Sequence, residues 1–261
     1  TFLPRQNIMD SIKATIMPAV AGRAPSQHAR TSAFANISSG GQATAIRPVI
    51  VSSTGDLARA VRGGVSVSAL SLKHRRCALQ GMGGSGKTTV LTGLIHDTEV
   101  RSAFSKIVWL TVGQLPDFPA LLDSLHLQLS GDPMPERVKY QDPGTMVEAR
   151  QAALLSASRN SRVLLVLDDV WDVAHANQLS SCLDFDVGSR ALMTTRIKGM
   201  FKEGAFEVNV NELDEAEALS LLLASAGIHA SELTEGSSEW HRAKEITSLM
   251  GKLPLALTMA A

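Results

Sequence analysis

The residues whose types and spacing could do chemistry are concentrated in Gly81-Met82-Gly83-Gly84-Ser85-Gly86-Lys87-Thr88-Thr89. From Gly81 to Thr88 they match the phosphate-binding pattern G-x-x-x-x-G-K-[ST], which average composition produces by chance in about one chain of this length in a hundred. Glycines let the backbone turn tightly and aim successive N–H groups at phosphate oxygens. A helix opening at Lys87 adds its free N–H groups and the positive end of its dipole. In this pattern Lys87 reaches the β- and γ-phosphates, and the Thr88 hydroxyl ligates Mg²⁺. The guanine-specifying tetrapeptide N-K-x-D is absent from the sequence, which favours adenine.

A second group follows downstream. Val163-Leu164-Leu165-Val166-Leu167 is an apolar strand ending in Asp168 and Asp169. In phosphate-loop enzymes the strand-end acid holds Mg²⁺, directly or through water, and this role goes to Asp168. Asp169 could orient or deprotonate an attacking water, or stand by. Taken alone, the pair also reads as a strand running into a polar turn. Arg196 closes a further strand, Ala191-Leu192-Met193-Thr194-Thr195-Arg196. There it would face the γ-phosphate, sensing it or stabilising transferred charge; a lone arginine is more often a surface residue. His74, His96, His175 and His241 have no ligand spacing, so zinc is not expected.

These residues need elements to position them. The pattern demands strand, glycine loop and helix in that order, which Cys77–Gln80 and Val90–Ile95 provide. Ile107–Val112, Val163–Leu167, Arg190–Thr195 and Phe206–Val210 read as further strands. Helices are expected around Leu121–Leu129 and Met146–Ser158. Continuous apolar strands alternating with helices predict a parallel α/β sheet over 76–211. Beyond Leu213 the pattern turns helical, predicting a small α-helical unit over 212–261. At the other end, Ile8, Met9, Ile12 and Ile16 predict a short amphipathic helix within residues 1–20, stopped by Pro18. Residues 21–75 are rich in Ala, Ser and Gly, hold at most a helical turn near Leu57–Val61, and read as a flexible insertion.

With 261 residues, 44% of them hydrophobic, the chain can build a sizeable core. Its longest uninterrupted apolar run, Val163–Leu167, is far too short to cross a bilayer, and no leader follows Thr1. The two cysteines, Cys77 and Cys182, point to buried thiols and a reducing, cytoplasmic setting. Net charge is zero, yet residues 1–80 hold Arg5, Lys13, Arg23, Arg30, Arg47, Arg59, Arg62, Lys73, Arg75 and Arg76 against only Asp10 and Asp56. These cations are scattered singly without interleaved aromatics, so neither nucleic acid nor membrane is expected as partner.

The ordered set GMGGSGKTT, FSKIVWLTVGQ, LLVLDDVW, GSRALMTTR, VNELDEAEALSLL and GKLPLAL resembles the NB-ARC switch ATPases of the STAND class, found in plant disease-resistance proteins and apoptotic activators. The likeness covers Arg76 to the end, and Leu3-Pro4-Arg5 looks like the family's adenine-side element. It implies a P-loop NTPase sheet ordered 5-1-4-3-2, with a helical subdomain closing over ADP or ATP and Mg²⁺. It also implies that Pro254 contacts the adenine side, that Pro4 and Arg5 flank the base, and that Arg196 reads the γ-phosphate. The chain departs from the family in its long insertion after Arg5 and in Lys252 before Leu253-Pro254. It ends before the family's winged-helix part, so a fragment is expected, its sensor and effector domains lying elsewhere. The resemblance implies a switch with slow hydrolysis and self-oligomerisation on activation. The alternative is a P-loop kinase or other metabolic phosphotransferase, for which no acceptor-binding cluster stands out.

Overall fold

A strand as apolar as Val163–Leu167 must be covered on both faces, and the fold covers it. The computed structural model describes residues 5–17, 75–139, 143–201, 205–229 and 233–261. Pro4, the turn at Leu57–Val61, and all of the 21–75 insertion except Arg75 lie outside the described residues, as does most of the basic head. The described strands are β1 (Arg76–Gln80), β2 (Lys106–Gly113), β3 (Val163–Val170), β4 (Arg190–Thr195) and β5 (Phe206–Asn209), all parallel. They pair in the order β2-β3-β4-β1-β5, the expected arrangement.

Side chains alternate along each strand and so feed two cores. Val163, Leu165 and Leu167 share one face with Ala191 and Met193. Leu164, Val166 and Leu192 share the other with Cys77 and Leu79. Every residue of β4 is buried, as a strand inside a doubly covered sheet requires. Cys77 and Cys182 are both buried free thiols.

Helix α1 (Gln6–Ile16) buries Met9, Ile12, Thr15 and Ile16 at the predicted spacing. It joins the core beneath β1, while Lys13 pairs with Asp97 at 3.0 Å and Glu99 at 2.9 Å. The N-terminal helix is therefore part of one of the two sheet cores. Helix α2 (Lys87–His96) leaves the glycine loop directly. After it come α3 (Thr98–Ala103), α4 (Phe118–Ser130), α5 (Glu136–Lys139), α6 (Pro143–Ser158) and α7 (Val173–Ser180). Of these, α3, α5 and α7 carry no strong periodic signal in the sequence. The C-terminal unit consists of α8 (Glu215–Ser225), α9 (Ser238–Leu249) and α10 (Pro254–Ala260). Asp214 and Glu217 form a reciprocal capping box that starts α8. Leu213, Ala218, Leu221, Leu222, Ala243 and Leu257 make this unit's own core. No helix among the described residues is long and apolar enough to cross a membrane.

Candidate functional site

The carboxyl ends of β1, β3 and β4 open into a cavity of about 550 Å³, the position where open parallel sheets bind ligands. Its floor is the glycine loop. Gly84 and Gly86 have φ of +78° and +90°, a backbone region that L side chains rarely adopt. Space is short as well: a Cβ on Gly83 would lie 3.3 Å from Arg196 Nη1, and one on Gly84 would lie 3.1 Å from Leu255 Cβ. At Gly81 it would lie 2.3 Å from the Val210 carbonyl oxygen. Gly81 and Ser85 shape the loop without lining the cavity, and the Met82 side chain points to solvent. Ser85 Oγ is buried without a hydrogen-bond partner among the described residues.

Lys87 begins α2, and its ammonium donates to the Gly81 and Met82 carbonyls at 2.8 Å each. Burial pushes its pKa below the usual lysine value; the Arg196 charge adds to this, and Asp169 and Asp168 oppose it. Thr88 Oγ1 donates to Asp168 at 3.0 and 3.2 Å, to one carboxylate oxygen and the other. Thr194 Oγ1 donates to Asp168 Oδ1 at 2.6 Å and accepts from the Asp169 amide at 2.8 Å. Two hydroxyls thus fix one carboxylate at the mouth of β3. Thr89 lines the same cavity one residue on.

Asp169 has φ of +58°, an uncommon conformation for a residue other than glycine. Its carboxylate lies 3.4 Å from Arg196 Nε, and the Arg196 guanidinium sits over the Trp171 ring, 5.4 Å from its centre. Trp171 stands two residues after Asp169, just beyond the end of β3.

The far wall comes from the C-terminal unit. Leu213, Leu221, Pro254 and Leu255 line the cavity, and the Leu255 amide donates to the Gly84 carbonyl at 3.2 Å. Arg5 lines it too. Its Nη1 donates to the Asn211 carbonyl, while Nη2 is buried without a partner among the described residues. Desolvation lowers the Arg5 pKa against the pull of Glu217, Glu212 and Asp214. The structure therefore gathers Arg5, Lys87, Thr88, Asp168, Asp169, Arg196 and Pro254 around one space.

This donor set fits a polyphosphate and a hard cation. A glycine-rich loop with an ammonium suits phosphate oxygens. A hydroxyl beside a carboxylate, with no sulfur or imidazole, suits Mg²⁺.

The family model for the NB-ARC domain matches residues 70–232. Apoptotic protease-activating factor 1 of Danio rerio is 32% identical over 186 residues, covering 66% of this chain and 14% of that protein. A probable disease resistance protein of Arabidopsis thaliana is 28% identical over 185 residues, covering 70% of this chain and 20% of that protein. The chain thus spans a small part of the length of these relatives. Among solved structures, Cdc6p from Pyrobaculum aerophilum aligns with a TM-score of 0.51 at 17% identity, over 71% of this chain and 52% of that one, a likeness of fold alone.

Proposed function

Because this chain belongs to the NB-ARC family, we propose that it is the ADP/ATP-binding switch module of a STAND-class signalling ATPase acting in the cytoplasm, in a defence or cell-death response. The observation that carries the reading is the cavity walled by two units: the glycine loop and strand ends on one side, Pro254 and Leu255 of α10 on the other. A nucleotide held there would hold the two units to each other. It can shift their arrangement only as far as its contacts differ between states.

Lys87 would hold the β- and γ-phosphates, exchanging loop carbonyls for phosphate oxygens. Arg5 and Pro254, together with Pro4, would flank the base. Thr88 and Asp168 would hold Mg²⁺, which when bound neutralises phosphate charge. Arg196 would read the γ-phosphate. Asp169 would orient a water or take its proton, but its carboxylate is engaged by Arg196. Hydrolysis would be slow and would reset the switch. Exchange of ADP for ATP would then release the module to oligomerise.

The test is the nucleotide released when the purified protein is denatured. ADP at close to one equivalent is expected, together with its loss in Lys87→Ala. A guanine nucleotide, or undiminished ADP affinity in Lys87→Ala, would overturn the assignment.

A further inference from the structure

We infer that Trp171 is a positioning residue for Arg196: its indole face holds the guanidinium at the rim of the phosphate cradle and so strengthens the site's hold on nucleoside triphosphate relative to diphosphate. The inference rests on the reading of Arg196 proposed above and assigns the means by which that arginine is aimed.

Arg196 stands at the end of β4 with a side chain about half exposed, at 52%. A free arginine there would lose rotamer entropy on being fixed. Three neighbours restrict it. Asp169 Oδ1 lies 3.4 Å from Nε, too long and too wet for a strong pair. Nη1 approaches the loop, 3.3 Å from where a Gly83 side chain would begin. The Trp171 ring lies under the guanidinium, with Cζ 5.4 Å from the ring centre. Of the three, only the ring would act equally in every nucleotide state, because a γ-phosphate competes with Asp169 for the charged edge but not with an aromatic face.

Trp171 is itself well anchored. It joins β3 to α7, and Asp172 next to it caps α7 by accepting the Ala174 amide at 2.8 Å. Its Nε1 is buried without a hydrogen-bond partner among the described residues. A buried indole N–H is usually paired, so this ring is not held in place by its polar edge. What it offers is its face.

The test is made on the full chain with Mg²⁺, measuring affinity for ADP and for a non-hydrolysable ATP analogue. Trp171→Leu should weaken the analogue about three- to tenfold and leave ADP within about twofold, the range of a half-exposed cation–π contact. Trp171→Phe should restore most of the loss. On an Arg196→Ala background Trp171→Leu should add nothing. With Trp109→Phe and Trp240→Phe in place, Trp171 emission should respond to the analogue more than to ADP, and this difference should vanish in Arg196→Ala. Equal weakening of both nucleotides, or additivity with Arg196→Ala, would reduce Trp171 to a structural role and overturn the inference. If Arg196→Ala alone leaves the preference between nucleotides unchanged, the reading of Arg196 fails, and the role of Trp171 falls with it. Should Trp171→Leu fail to fold, the emission of the single-tryptophan protein decides: identical responses to both nucleotides overturn the inference.

Discussion

Lys87 sits in a conflict that fixes how the site should answer to pH. Burial lowers its pKa from 10.5, so the free protein disfavours the ammonium that a polyphosphate needs. For a base lowered in the folded state, the stability it contributes is present above the unfolded value and is lost as pH falls through the folded one. A bound polyphosphate reverses the preference and raises the pKa again. Binding should therefore take up protons in the window between the two values, and affinity should fall as pH rises through it. Calorimetry of ADP binding just below pH 10.5, in two buffers of different ionisation enthalpy, is expected to show this uptake. Identical heats in both buffers would refute it. In Lys87→Arg the uptake should vanish, because a guanidinium stays charged throughout.

At the scale of elements, the glycine loop and α10 are fitted to each other. Gly84 has a positive φ and would press an added Cβ to 3.1 Å from Leu255 Cβ, whereas Gly236, with φ of +86°, has nothing within 4 Å. Alanine at Gly236 should cost about 1 kcal/mol of conformational strain and leave nucleotide affinity alone. Alanine at Gly84 should cost at least as much and weaken ADP about tenfold or more, since it also disturbs the cradle. Equal affinities for the two variants in a titration would contradict the fit.

Much of this scale was legible in sequence. The loop, the strand carrying Asp168 and the strand ending in Arg196 each combine a hydrophobic run with a polar stop, and the sheet order followed from resemblance. The short helices were not legible. Val173-Ala174-His175-Ala176-Asn177-Gln178-Leu179-Ser180 buries only Ala176, Leu179 and Ser180, so its apolar stripe is too thin to read. Thr98–Ala103 is announced only by Asp97, whose side chain accepts the Glu99 and Val100 amides. Trp171 was invisible for another reason. Its part depends on where a distant arginine lies, and local pattern does not encode that.

Among the described residues there are three cores, two on the sheet and one in the C-terminal helices, and the cavity touches the second through Val90 and the third through Leu213 and Leu221. This predicts that core damage has different consequences in different places. Leu125 and Leu257 are both fully buried. Each changed to alanine should destabilise the fold by roughly 2–5 kcal/mol. Leu257→Ala should also weaken ADP, because Pro254 and Leu255 share its helix, while Leu125→Ala should leave the affinity of the folded fraction unchanged. Denaturant unfolding paired with nucleotide titration checks both. Retained affinity in Leu257→Ala would show that the helical unit plays no part in holding the ligand.

The Leu255 amide bonded to the Gly84 carbonyl has a mechanical consequence. Helix α10 is a lever whose short arm ends inside the loop. Torque applied to that helix reaches the bed of the polyphosphate one peptide link later. Displacing that helix should then shorten the residence time of the nucleotide.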